Sequence, residues 1–420
     1  MSTSGLPTPN AAQLAWHDME LGMFFHFDLY TYAPEWNFRT FSNHPSPELF
    51  NPAKLDTDQW MEAAKAMGAK YAVLTAKHCS GFLMWPSTAY DYGVKQTKWR
   101  GGRGDVVGDF VASCRRHGIK PGLYCSVSAN GWLKADNPGL VKSGDAKEQA
   151  RYKAICEQML RELWSNYGEL TEIWFDGSSL APEKGGPDFI PMLRELQPNA
   201  VVFQSPAASI RWVGNEDGVA PYPCWSTVAD LDKAGGGDPD GKLWCPGECD
   251  VPIRKTQWFW KPGEENRVKD TDHLVGLYYK SVGRNCNLLL NANINRDGLV
   301  PEPDMTRYAE FEREIRRRFA KPIAETKGEG ETVTLSLGKP TRLDHVVTME
   351  DIRHGERVRK YVVEAEVGGH WREICGGSCI GHKRVDAVSP ITAPAIRLRC
   401  VESVAMPKIR SLAVYFGGER

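Results

Sequence analysis

Leu170-Thr-Glu-Ile-Trp-Phe-Asp-Gly177 is the stretch on which the fold turns. Ile173, Trp174 and Phe175 are consecutive apolar β-formers. A run without polar alternation reads as a strand buried on both faces, as in a parallel sheet. It stops at Asp176, which Gly177 follows. A carboxylate at the mouth of a buried strand is costly unless a partner or a reaction uses it. In parallel α/β folds, chemistry gathers at the C-terminal ends of strands. Asp-Gly is also a common turn pair, so Asp176 reads either as a turn residue or as a functional group.

Working outward, strands and helices alternate. Gly22-Met-Phe-Phe-His-Phe-Asp-Leu-Tyr30 reads as a first buried strand, with His26 near its end. Asp56 and Asp58 open a helix over Trp60–Met67 that Gly68 stops. Lys70–Thr75 is a second strand, running into Lys77-His78-Cys79-Ser80-Gly81. A helix from Asp105 to His117 leads to a strand over Ile119–Ser126, with Tyr124 near its end. A long helix over Ala146–Tyr167, apolar at Ile155, Met159, Leu160 and Leu163, precedes the Asp176 strand. Beyond it come a short helix (Phe189–Leu196), a strand (Ala200–Phe203), a helix (Thr271–Val282), a strand (Asn287–Asn291) and a charged helix (Met305–Phe319).

This alternation predicts an α/β fold, a (β/α)8-like (TIM) barrel over residues 1–322. The stretch Ser205–Arg267 reads as a long loop rich in Gly, Pro and Trp. Loops that long in a compact domain are usually functional. It hides at least two barrel units, so an irregular barrel is expected. After Lys321-Pro322 short alternating strands appear, such as Thr332–Leu337 and Tyr361–Val367, separated by Gly and Pro. They predict a C-terminal antiparallel β-sandwich over residues 323–420.

Composition removes several function classes. The chain has 420 residues and a formal net charge of -1, which argues against nucleic acid or an anionic membrane as main partner. No apolar run approaches the roughly 20 residues needed to span a bilayer. The first residues, Met1-Ser-Thr-Ser-Gly-Leu-Pro, lack the basic start and apolar core of a secretory signal, so a cytoplasmic protein is expected. The 11 Cys show no zinc-type spacing and read as reduced core residues, with no metal or cofactor expected. The 14 Trp fit sugar binding as well as a core, because apolar sugar faces stack on rings.

His26, His78, Tyr124 and Asp176 end successive predicted strands, and in a barrel such ends converge on one pocket. Imidazole, phenol and indole groups suit a sugar. Glycoside cleavage would require a second carboxyl group beside Asp176. Glu216, in Arg211-Trp-Val-Gly-Asn-Glu-Asp217, and Glu248, in Trp244-Cys-Pro-Gly-Glu-Cys-Asp-Val251, are the candidates, both read as loop residues.

Over nearly its whole length the chain resembles the α-L-fucosidase family of glycoside hydrolases, family 29. The first strand with His26, the pair Glu35-Trp36, Lys77-His78 with Gly81-Phe82, Ile173-Trp-Phe-Asp-Gly177 and Arg284-Asn-Cys-Asn-Leu-Leu-Leu-Asn291 carry the resemblance. Trp212-Val-Gly-Asn-Glu216, Glu248-Cys-Asp-Val-Pro-Ile-Arg254 and Trp258-Phe259 are similar to the branch that favours 1,3/1,4-linked sugars.

The resemblance implies a retaining exo-glycosidase acting on a glycoside or oligosaccharide. Asp176 would be the nucleophile and Glu216 the acid/base, with Glu248 as second candidate. Their carboxyl groups would lie about 5–5.5 Å apart. His26, Glu35, Trp36, His78 and Tyr124 would hold the sugar, with Trp174 and Cys79 in the same set. Phe24 and Trp258 would line its C5 substituent. Where the family has His-His-Asp, this chain has His78-Cys79-Ser80. The family's second His grips sugar hydroxyls, including the axial one at C4, and Cys is a shorter, weaker donor. That departure leaves another α-L-glycoside, α-L-glucoside among them, as the alternative to a fucoside. A binding protein without catalysis is a third reading.

Overall fold

The computed structural model describes residues 5–231 and 235–418; residues 1–4, where the signal reading begins, lie outside the described residues. Eight strands form one parallel sheet: β1 (Leu21–His26), β2 (Tyr71–Lys77), β3 (Lys120–Cys125), β4 (Glu172–Trp174), β5 (Val201–Phe203), β6 (Arg211–Trp212), β7 (Gly247–Val251) and β8 (Cys286–Asn293). Each pairs with its neighbours in chain order, and β8 pairs with β1. At the remaining seam the Val202 carbonyl accepts from the amides of Ser209 (2.9 Å) and Ile210 (3.1 Å), which closes the barrel.

Helix α1 (Ala11–His17) precedes β1. Helices α2 (Thr57–Met67), α3 (Val106–His117), α4 (Ala146–Asn166), α5 (Ile190–Leu196), α6 (Thr271–Lys280) and α7 (Glu302–Phe319) pack outside the strands. The caps are those the sequence signals. Asp56 accepts from the amides of Asp58 and Gln59, and Gly68 ends α2 at φ +83°. Among the described residues no α-helix joins β5 to β6 or β6 to β7, which is the barrel's irregularity. An antiparallel ribbon, Thr227–Val228 with Leu243–Trp244, fills the second connection. No helix among the described residues is long and apolar enough to cross a membrane.

The barrel units expected to be hidden in 205–267 are the strands β6 and β7, so the stretch is not loop throughout. In β7, Glu248 and Asp250 face the lumen, while Cys249 and Val251 pack into the core outside it. That is a period-2 strand whose polar residues lie on the inner face, the reverse of a surface strand.

The lumen is filled by Trp16, Phe24, Tyr71, Val73, Tyr124, Trp174, Phe203 and Leu289. Positions 22, 24 and 26 of β1 share one face, so the parity that buries Phe24 also delivers His26 to the mouth. Gly22 has the same parity. A Cβ there would lie 2.3 Å from the Tyr71 ring, so only glycine lets that ring cross the floor of the barrel.

The C-terminal unit is a six-stranded antiparallel sheet in the order β9-β14-β10-β13-β11-β12. The strands are β9 (Ala324–Glu329), β10 (Thr332–Glu350), β11 (Val358–Val367), β12 (His370–Gly377), β13 (Arg384–Ser403) and β14 (Lys408–Tyr415). β10 and β13 are longer than the short strands expected, because register shifts carry them past Pro and Gly without ending the pairing. The sheet folds over its own core of Leu335, Val346, Val363, Ile396, Leu398 and Leu412. It meets the barrel at the N-terminal ends of the strands. Glu356 takes the Ser226 amide (3.0 Å) and His382 meets Asp18 (2.8 Å). This face is opposite the mouth, so the sheet braces the barrel and does not line the site.

Candidate active site

Two loops and four strand ends build a cup at the mouth. His26 closes β1, and its Nδ1 lies 2.7 Å from Asn291 Oδ1. The Asn291 amide nitrogen donates to the Trp258 carbonyl (2.9 Å), so its oxygen must accept from His26. The tautomer assigned on that ground places the proton on Nδ1 and leaves Nε2 as an acceptor. Burial pushes the His26 pKa down to about 3, against the pull of Asn291, so the ring is neutral at physiological pH.

His78 follows β2, its ring parallel to Tyr124 (5.8 Å) and edge-on to Phe259 (4.9 Å). Burial holds it well below the usual histidine value, with help from His26 and Lys77. Its Nδ1 is buried without a hydrogen-bond partner.

Asp176 sits beyond β4. Tyr124 donates to its Oδ2 at 2.7 Å, and Cys79 Sγ lies 3.4 Å from the same oxygen. The Asp176 carbonyl accepts from Ser128, and the Gly177 amide donates to Gln204 (2.9 Å). Gly177 adopts φ +77°. The Asp-Gly pair does form a turn, and the left-handed glycine swings the chain away while the Asp176 carboxylate stays in the cup.

Cys79 and Ser80 occupy the motif's departing positions. Ser80 Oγ donates to Asp28 Oδ2 at 2.6 Å, tying the β2 end to the turn after β1. Burial raises the Asp28 pKa to about 6, while Ser80 and the Tyr30 amide draw it down. Cys79 also lies 3.5 Å from Ser126 Oγ, and burial followed by the Asp176 charge pushes its thiol up to about 12.

Trp258 comes from the loop after β7. Its ring lies 4.9 Å from His26 and 6.1 Å from Phe24, and its Nε1 donates to Glu216 Oε2 at 3.1 Å. Glu216 is exposed on a turn that Asn215 folds, taking the Asp217 amide and donating to the Val219 carbonyl. The loop bearing Trp258 starts at Arg254, which forms a fully buried ion pair with Asp304 of α7 at 2.7 Å.

Glu248 is not a loop residue. It lies in β7, fully buried, with Oε1 accepting from Tyr71 (2.7 Å) and Oε2 from Trp174 (3.1 Å). Burial raises its pKa to about 7. Glu172 stands beside it, raised by burial and then by the Glu248 charge, so this pair holds a proton. Both Glu248 oxygens are spoken for on the barrel floor, which removes it from the mouth. Trp174 accordingly belongs half to the floor and half to the cup, stacked at 5.2 Å behind Tyr124.

Glu35 and Trp36 reach the cup only indirectly. Trp36 is buried in its own loop, its Nε1 on the Ser42 carbonyl at 3.1 Å. Phe38 lies between it and His78, 5.8 Å from the imidazole. Glu35 is exposed beside Tyr30. The sequence reading passed over Asp28, Phe38, Asn291 and Asp250. Asn287, Asn291 and Asn293 at alternate positions of a buried strand were the available signal, because amides there must be bonded. Asp250 is buried with Oδ1 unpartnered, and its pKa is raised by burial and by Glu248 and Glu216. His78, Cys79 and Asp176 present ligand-type atoms all within 4.8 Å of one another, a grouping that cysteine spacing does not reveal.

Neutral imidazoles, stacked rings and a pinned carboxylate suit a ring-shaped polyhydroxyl ligand, as in a carbohydrate-processing enzyme. Comparison with known proteins is specific. The α-L-fucosidase family model matches residues 8–312. Alpha-L-fucosidase 1 of Arabidopsis thaliana is 30% identical, over 98% of this chain and 88% of that protein. The crystal structure of a "putative alpha-L-fucosidase" from Bacteroides thetaiotaomicron VPI-5482 is 40% identical, with a TM-score of 0.93 over 98% of this chain and 99% of that one. A glycoside hydrolase 29 family member from an unknown rumen bacterium is 33% identical, with a TM-score of 0.86 over 99% and 78%. The chain belongs to the α-L-fucosidase family, glycoside hydrolase family 29, and is a glycosidase. Neither the α-L-glucoside alternative nor the non-catalytic one finds support in these relatives.

Proposed function

We propose that this chain hydrolyses terminal α-L-fucosides with retention, through a covalent glycosyl-enzyme on Asp176. The observation that carries the reading is the Tyr124–Asp176 hydrogen bond of 2.7 Å at the mouth of the barrel. It fixes one carboxylate oxygen and leaves Oδ1 to attack the anomeric carbon. As that bond forms, the glycosidic C–O bond breaks and Glu216 gives its proton to the leaving oxygen. Glu216 then takes a proton from water, whose oxygen bonds C1 and releases Asp176. Trp258 holds Glu216 and also faces His26 and Phe24, which supports a role for both loops around one sugar. The apolar faces of Phe24 and Trp258 suit the C5 methyl group, and His26 Nε2 suits a sugar hydroxyl. His78 would complete the grip, with Phe38 standing between its ring and Trp36.

The test is hydrolysis of 4-nitrophenyl α-L-fucoside followed by NMR. α-L-Fucose should be the first product, and Asp176→Ala should be inactive while still binding fucose. β-L-Fucose as first product would overturn retention. Activity surviving in Asp176→Ala would overturn the assignment of the nucleophile.

A further inference from the structure

We propose that His78, Cys79 and Asp176 form a binding site for a soft divalent metal ion of the zinc class, set inside the cup. Three observations converge on it. The three ligand-type atoms lie within 4.8 Å of one another, and Cys79 Sγ is 3.4 Å from Asp176 Oδ2. Zinc bond lengths of about 2.0–2.3 Å put the ligand atoms of a tetrahedron roughly 3.3–3.8 Å apart. The sulfur–oxygen edge already fits, and the edges to His78 exceed this range by at most about 1 Å.

The His78 ring is in the right chemical form. Its Nδ1 is buried with no hydrogen-bond partner, and burial keeps the ring neutral, the state that coordinates a metal. The buried Lys77 ammonium does not compete. Lys77 Nζ is engaged by the carbonyls of Ser126 (2.7 Å) and Ala129 (2.6 Å).

Charge balances as well. A thiolate and a carboxylate cancel a dication, and a neutral imidazole adds a third donor. Binding requires the Cys79 S–H bond to lose its proton to solvent as the sulfur–metal bond forms. The charge of the ion drives that ionisation. Three protein ligands leave the fourth position open to the cup. If Asp176 is the nucleophile proposed above, the bound ion takes its carboxylate and blocks hydrolysis; the metal site itself does not depend on that reading.

The experiment is a cobalt(II) titration of the whole chain, read by absorption without any sugar present. One equivalent should give the visible bands of tetrahedral cobalt and a near-ultraviolet thiolate-to-cobalt band, both displaced by zinc. Cys79→Ser should lose the thiolate band. His78→Gln, which keeps the thiol, should bind about tenfold more weakly or worse. A thiolate band undiminished in Cys79→Ser would place the ion on another cysteine and overturn the proposal. So would a titration with no bands at all, or unchanged affinity in His78→Gln.

Discussion

Tyr124 donates to Asp176 at 2.7 Å, and the ring of Trp174 lies flat behind Tyr124 at 5.2 Å. Trp174 in turn donates to Glu248, which also takes the Tyr71 hydroxyl. The carboxylate at the mouth is thus fixed through three packed groups to the barrel floor. Tyr124→Phe keeps the ring and removes only the donor. A hydrogen bond to a charged group is worth about 1.5–3 kcal/mol, so kcat on an aryl fucoside should fall roughly ten- to a hundredfold. The same bond stabilises the fold, so the thermal unfolding midpoint should also fall, by a few degrees. An unchanged kcat would mean that the hydroxyl does not position Asp176 for reaction.

Glu216 and Glu248 are separable by chemical rescue. Glu216→Ala should lose about 10²–10⁴-fold in turnover of a poor leaving group. Added azide should restore turnover on an activated aryl fucoside and give α-L-fucosyl azide. Glu248→Gln should respond to azide not at all. Rescue in the Glu248 variant instead would reverse the assignment.

Arg254 and Asp304 pair at 2.7 Å with both side chains fully buried. Removing one partner of such a pair strands the other charge and costs about 3–5 kcal/mol. Asp304→Ala should lower the urea midpoint accordingly. Arg254→Met combined with Asp304→Leu should cost less than Asp304→Ala alone. A single variant as stable as the parent would show that the pair contributes nothing.

Acid should weaken the fold through its buried histidines. His26 is held at about 3, below its unfolded value of 6.5, and His17 and His78 are shifted the same way by burial. For a base with a lowered folded pKa, the unfolded state binds more protons between the two values. Stability is therefore full above about pH 6.5 and falls as pH drops toward 3, by up to about 1.4 kcal/mol per pH unit for each such group. His26→Gln should flatten this slope in urea titrations between pH 4 and 6.5. An unchanged slope would mean that His26 is not neutral in the fold.

Much of this was written in local sequence. The run Ile173-Trp-Phe before Asp176 marks a strand buried on both faces, and the Asp starts and Gly stops of α2 and α3 mark their ends. These signals are local because caps and hydrophobic periods act over a few residues. The barrel class, the C-terminal sheet, and the gathering of His26, His78, Tyr124 and Asp176 at one mouth follow from them.

Tertiary structure alone decided the rest. It placed β6 and β7 in what reads as loop, since a strand of two residues, or one with its carboxylates turned inward, carries no hydrophobic run. It moved Glu248 to the floor, because the partners that occupy it, Tyr71 and Trp174, come from strands 177 and 74 residues away in sequence. It folded Trp36 into its own loop and set Phe38 against His78 in its stead. It brought the Cys79 thiol onto Asp176, a contact spanning 97 residues. Which groups a buried carboxylate meets depends on how strands wrap around a closed barrel, and no local pattern encodes that register.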